Sequence, residues 1–210
     1  MLRMMLWLVE KRLGRALLAN RILTWYPKAF IGSGIMEALI AHDEPEVPRR
    51  LLALIRIYTS FIVSCPFCID MNAKDFDRKG ITDQEIRALQ RQASAARGAP
   101  VGQIRTSVSR GSLPSTLLDE VSTLSARDKA ALRYAECICR TPLMFTSDVI
   151  AEMREHFSER GMVIVASTCA QVNFWARLIQ SLGVPPAGFS SECAVLNLDA
   201  YATRQADREP

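Results

Sequence analysis

The sequence predicts an all-α fold, a homo-oligomeric helical bundle, and three observations predict its helical character. Apolar residues recur at helical spacing through most of the chain. The periodic runs are bounded by residues that start and stop helices: Ser or Thr three positions before an acid, and Gly or Pro just past the end. No stretch alternates apolar and polar residues with period two, so no strand is expected.

The first helix spans Leu2 to Leu18, with Lys11, Arg12 and Arg15 on its polar side. Its opening run, Met1 to Leu8, is too short to span a bilayer and lacks a small-residue cleavage site. It reads as an amphipathic helix packed on a partner subunit. A contact with a membrane surface is the lesser alternative, without stable insertion. Tyr26-Pro27 breaks that helix, and a second runs from Lys28 to Ala41. The polar, proline-bounded stretch His42 to Pro48 leads to a third helix, Arg49 to Val63. A fourth opens at Cys65 and closes near Lys79-Gly80. Thr82 to Glu85 forms a capping box for a fifth, which ends near Ala96. Arg97 to Ser115, rich in glycine, proline and serine, is a connector or flap. Ser125 to Asp128 caps the next helix, Lys129 to Arg140, which Thr141-Pro142 stops. Ser147 to Phe157 follows. Ser158 caps the longest helix, Glu159 to Leu182, closed by Gly183-Val184-Pro185-Pro186. Its stretch Met162 to Ala170 is apolar nearly all round, which places it at the centre of the subunit or in a subunit interface.

A chain of 210 residues suits one domain with a substantial core. Within it, N-terminal helices occupy 1–44, the cysteine-bearing helices 45–96, the connector 97–123, the C-terminal helices 124–187 and a weakly patterned tail 188–210. The net charge of +4 is mild and its basic residues are scattered, so nucleic acid is not an expected partner. Six cysteines are too few for a secreted disulfide scaffold and suit a reducing cytoplasm. The sequence holds no glycine-rich phosphate loop followed by lysine and no Gly-x-Ser-x-Gly elbow.

Cys65-Pro66-Phe67-Cys68 is the stretch with chemistry in it. A helix start presents unpaired N–H groups and the positive end of the dipole, and both favour a thiolate. Pro66 suits the first turn. A thiolate attacks a peroxide or a disulfide, and a second thiol one turn away can close an internal disulfide. Two other readings stand beside redox use: inert core thiols, or half of a zinc site. Zinc wants a second suitably spaced pair, whereas Cys137 and Cys139 are one residue apart and Cys169 and Cys193 are isolated.

Cys65 to Asn72 resembles the active-site stretch of alkyl hydroperoxidase D-like proteins in the carboxymuconolactone decarboxylase family. The resemblance continues in Gly80 to Ile86, in Leu124 to Leu132 and in Asn173 to Pro186, and so covers roughly residues 45 to 187. It implies an all-helical homo-oligomer with thiol peroxidase or disulfide-exchange activity and no bound cofactor. Cys68 would attack the peroxide and Cys65 would close the disulfide. The substrate would be a hydroperoxide or small disulfide, and a lipoyl-type dithiol would be the external reductant. The family places a histidine four residues after the second cysteine and a glutamate twelve before the first. Here those positions hold Asn72 and Ala53.

Without those groups a general base is not available from the usual places. Asn72 can hydrogen-bond a peroxide oxygen or a water but cannot take its proton. Arg56, one turn after Ala53, can favour a thiolate by charge, or can pair with an acid across an interface or face solvent. Asp70 reads as a solvated first-turn carboxylate. His42 and His156 read as exposed, with His42 reaching the site from a neighbouring subunit as the lesser alternative. Phe174 and Trp175 read as core, and Arg177 as part of an interface or a buried ion pair. Cys137, Cys139 and Cys169 read as packed thiols and Cys193 as an exposed one. The alternative to the enzyme is a non-catalytic or redox-sensing oligomer that kept the fold and lost the relay. Lactone decarboxylation has little support, because no histidine or acid visibly converges on a pocket.

Overall fold

The computed structural model describes residues 2–14, 16–40, 44–98, 117–143 and 145–190. Among them every α-helix or 3-10 turn assigned is part of one succession: α1 (Leu2–Leu13), α2 (Leu18–Leu23), α3 (Pro27–Leu39), α4 (Arg49–Ile62), α5 (Pro66–Asn72), a 3-10 turn (Asp77–Lys79), α6 (Asp83–Gly98), α7 (Ala126–Cys139), α8 (Ser147–His156) and α9 (Glu159–Ser181). No strand occurs among the described residues.

The core is built around α4. Leu51, Leu52, Leu54, Ile55, Ile57, Tyr58 and Phe61 are all buried, which takes up most of its circumference. It packs against α5, α6, α7 and α9. Arg56 and Ser60, four positions apart, share one face of α4, and that face meets the redox helix, as described below.

The capping boxes at both predicted starts are present. The Thr82 amide donates to Glu85 Oε2 at 2.8 Å, and the Glu85 amide donates to Thr82 Oγ1 at 3.2 Å. Ser125 and Asp128 repeat the exchange at 3.0 and 3.1 Å. Arg50, from the first turn of α4, ties the two boxes together. Its guanidinium bonds Glu85, reaches Asp128 at 3.2 Å and donates to the Gly80 carbonyl at 2.9 Å. Each such cap satisfies helix-end N–H groups that would otherwise lack partners.

Four expectations are corrected. The single helix expected from Leu2 to Leu18 is two, because Gly14 turns the chain at φ +74°. The helix expected from Cys65 to Lys79 is a seven-residue α5, a turn in which Asp75 takes φ +50°, and the 3-10 turn that ends on Gly80 at φ +74°. The longest helix is not enclosed at the centre of the subunit, the first of its two expected settings. α9 buries a stripe through Val165, Cys169, Val172, Ala176 and Ile179, while Val163 and Phe174 are exposed. Arg177 is exposed too and donates to Thr141 Oγ1 at 3.2 Å, so it forms no buried ion pair. By length and composition α9 alone among the described residues could cross a membrane, yet its buried stripe packs on α4, α5 and α7. His42, Cys193, most of the connector and most of the tail lie outside the described residues.

Candidate redox site at the start of α5

The chain reverses sharply between α4 and α5. Ser64 takes φ +51°, a left-handed conformation that a residue with a Cβ rarely adopts. The Cys65 amide then donates back to the Ser60 carbonyl at 3.2 Å. Cys65, expected to be the first helical residue, is instead extended and stands one place before the helix, at the N-cap of α5, with Pro66 at N1. Its Sγ accepts the Cys68 N–H at 3.2 Å. One turn separates the two cysteines, their Cα atoms are 5.2 Å apart, and their sulfurs form a disulfide.

The disulfide is covered. Cys65 is fully buried and Cys68 is 3 % exposed. The cover is apolar: Leu17 and Ala19 beside α2, Ala176 and Ile179 from α9, and Val184 from the segment after α9. Trp175, Ala187 and Phe189 complete it from half-buried positions. Asp70 is the clamp that holds the last part of this cover. It is fully buried, not solvated as expected. One carboxylate oxygen accepts the Ala187 amide at 2.8 Å, and the other accepts the Ser190 amide and hydroxyl at 2.7 and 2.8 Å. A carboxylate buried on the redox helix thus exchanges water for three donors from the far end of the chain. Lys74 adds a cation over the Phe189 ring at 4.7 Å.

Asn72 and Arg56 are brought together. Arg56 Nε donates to Asn72 Oδ1 at 2.9 Å, and Asn72 Nδ2 donates to Ser60 Oγ at 2.9 Å. The other side of the guanidinium meets Glu37 of α3 at 2.8 Å and Gln171 of α9 at 3.3 Å. Glu37 also accepts from Gln171 Nε2 at 2.8 Å and from Trp175 Nε1 at 2.9 Å. Arg56 therefore does not face a thiol as an uncompensated cation, since Glu37 balances its charge within the cluster. Arg56 pairs with an acid of its own chain, Glu37, and not with one across an interface. Ala53, half-buried, offers a methyl where a proton acceptor would stand. Trp175, half-buried instead of fully in the core, joins the cluster to the apolar cover of the disulfide.

The remaining described cysteines are packed thiols, as expected. Burial pushes Cys137 up to about 11, and burial likewise raises Cys139 and, further, the fully buried Cys169. His156, the last residue of α8, is half-buried. No three His, Cys, Asp or Glu side chains converge as a metal site among the described residues. Glu37, Gln171 and the clamping role of Asp70 escaped the sequence reading. Their partners lie 19 to 138 residues away in the chain, beyond the reach of any local pattern.

Comparison with known proteins places this geometry. Residues 33–103 match the model of the carboxymuconolactone decarboxylase family, a span that holds α4, α5 and both cysteines. An uncharacterized protein of Bacillus subtilis (strain 168), YdfG, is 26 % identical over 141 residues, 67 % of this chain and 78 % of its own. Among solved structures, a single-residue variant of the debrominase Bmp8 in complex with 2,3,4-tribromopyrrole superposes with a TM-score of 0.67 at 14 % identity, covering 90 % of this chain and 86 % of that one. The alkylhydroperoxidase AhpD core of an uncharacterized peroxidase-related protein from Ralstonia eutropha JMP134 gives 0.62 at 15 % identity, with the same coverage. At such identities the solved structures carry the fold alone.

Proposed function

We propose that this chain, whose residues 33–103 match the carboxymuconolactone decarboxylase family model and whose helical fold is similar to the AhpD core, is a member of that family in which Cys65 and Cys68 cycle between dithiol and disulfide to reduce a hydroperoxide or a small disulfide. One observation carries the reading: the two sulfurs meet at the entrance of a helix, already within bonding reach. In the peroxide version the Cys68 thiolate attacks one peroxide oxygen. The O–O bond breaks, and the departing alkoxide takes a proton and leaves as alcohol. The Cys65 thiol then attacks the Cys68 sulfenic acid, water departs and the disulfide closes. An external dithiol of lipoyl type returns the pair to thiols and becomes a disulfide itself, which balances the electrons.

Two features shape this cycle. The cover over the disulfide must open before any reductant reaches sulfur, so access is a separate step. The Arg56–Asn72–Glu37 cluster presents hydrogen bonds but no histidine, so the attacking thiolate must form without a general base from these positions. That second feature favours a second reading: a redox-sensing or non-catalytic protein that forms the disulfide slowly. Self-association belongs to either reading and is supported by Ile31, Ile35 and Leu39, which leave an apolar stripe exposed along α3. A reducing compartment suits both, since the pair must be returned to thiols.

A thiol titration separates them. The reduced protein is alkylated across a pH series, then again after one equivalent of cumene hydroperoxide, and again after dihydrolipoamide. The enzymatic reading expects two thiols lost within seconds and regained with the dithiol. Slow loss, or loss of a single thiol with an ordinary pKa, establishes the sensing reading instead.

A further inference from the structure

The N-terminal helix turns its apolar side outward. Met4, Trp7 and Leu8 of α1 are exposed and share one face with Lys11, whose Nζ stands 4.9 Å over the Trp7 ring. Leu6 and Glu10, one turn apart on another side, are half-buried, and Glu10 accepts from Arg21 Nε of α2 at 3.0 Å. A helix packed for its own subunit does the opposite and hides its apolar stripe. The corner between α2 and α3 is open in the same manner, with Trp25 87 % and Tyr26 62 % exposed. Two of the chain's three tryptophans therefore face outward within its first 25 residues.

The charge of this region is as uneven as its polarity. Residues 1–41 hold six arginines and lysines against two glutamates, an excess of four that equals the net charge of the whole chain. The rest of the sequence is balanced. Whatever covers α1 must then accept apolar side chains and offer negative charge. A second copy of the chain does only the first. A twofold contact through α1 sets a positive region against itself, and like charges across an interface oppose binding. The surface of an anionic bilayer does both. Tryptophan and tyrosine favour the headgroup level, and lysine and arginine are drawn to anionic lipid.

We infer that α1, with the Trp25–Tyr26 corner, is a docking surface for an anionic lipid bilayer. α1 has 12 residues, about 18 Å at the helical rise, well short of the roughly 30 Å hydrocarbon layer, so it lies in the interface and does not cross it. Met4, Trp7 and Leu8 enter the boundary between headgroups and acyl chains, and Lys11 stays at the phosphates. The surface stands apart from the redox reading, because no step of the thiol cycle requires a lipid. It adjoins that site through α2, where Leu18 is exposed between Leu17 and Ala19, two residues of the disulfide's cover.

Vesicle flotation tests it. The full chain is mixed with vesicles of phosphatidylcholine alone, or of phosphatidylcholine and phosphatidylglycerol at about three to one, and the bound fraction is followed against lipid concentration. Binding to the anionic vesicles is expected, about tenfold or more tighter than to the neutral ones and largely lost at about 0.5 M salt. Trp7→Ala and Lys11→Glu should each weaken it about tenfold. Leu143→Ala, an exposed apolar change between α7 and α8, should leave it unaltered. All three side chains are exposed, so the variants keep the fold, and matching thermal unfolding curves verify that. No binding to either vesicle, or equal binding to both, overturns the assignment. So does a Trp7→Ala protein that sediments as a smaller species than the parent while binding vesicles as well, which would give α1 to a second copy.

Discussion

A buried aspartate decides how the disulfide is reached. Three donors from residues 187 and 190 satisfy the oxygens of Asp70, and no cation among the described residues pairs with it. Asp70→Asn preserves the shape but replaces one acceptor oxygen by an NH₂ group, so at least one of those donors loses its partner. The cost is about 1–3 kcal/mol. Because the segment it holds covers the sulfurs, that cost falls mainly on the closed state. Alkylation of the reduced pair follows the population of the open form. The expected outcome is alkylation roughly five- to a hundredfold faster in Asp70→Asn, with Cys137 and Cys169 still inert at neutral pH because burial holds both thiols above their ordinary range. Mass spectrometry of the labelled peptides checks both halves. An unchanged rate at Cys68 would show that the cover opens elsewhere, at α2 or α9.

At the scale of elements, α4 and α5 meet through the polar pair Arg56 and Ser60, and the chemistry of the site depends on what that face offers. The family pattern expects a glutamate at 53 and a histidine at 72; here a methyl group and a carboxamide stand there, with Arg56 tied to Glu37. Ala53→Glu together with Asn72→His supplies a base and its acid partner to the turn beyond Cys68. Peroxide consumption by the double variant should rise on the order of 10²–10⁴-fold, the usual worth of general-base catalysis, with a pH profile that follows the histidine. Neither single variant should reach this, since each leaves half the relay missing. A double variant no faster than the parent argues that peroxide does not react at Cys68. The elements themselves were legible where their signals are local. Thr82–Glu85, Ser125–Asp128 and Ser158 announce their helices by capping chemistry within four residues, and Pro66 by its place in a first turn. The cysteine pair was legible for the same reason. The Glu37 cluster and the Asp70 clamp were not, because each joins segments distant in sequence through single side chains. The stripe of α9 that packs within the subunit was not legible, because an apolar composition does not say which side of a helix finds a neighbour in its own chain.

For the molecule as a whole, Arg50 is one of the points at which its two helical halves are joined, and it makes that point sensitive to acid. Glu85 belongs to the half that carries the disulfide, and Asp128 to the other. Burial alone would raise the Glu85 carboxyl, but the Thr82 amide, the Thr123 hydroxyl at 2.7 Å and Arg50 outweigh it and hold its pKa below the ordinary value. A carboxyl lowered in the folded state stabilises the fold fully above its unfolded pKa, about 4.3, and loses that contribution as pH falls through the folded value. Glu85→Gln keeps the volume but removes the charge from both the capping box and the ion pair. It should cost about 2–3 kcal/mol at pH 7, the worth of hydrogen bonds to a charged group. Urea unfolding at pH 7, 5 and 3 should show the gap between the two proteins unchanged from 7 to 5 and narrowing from 5 to 3, where the parent's own carboxyl takes up its proton. A gap that stays constant down to pH 3 would mean that the junction is held by shape and by Asp128, and that the Glu85 charge contributes nothing to it.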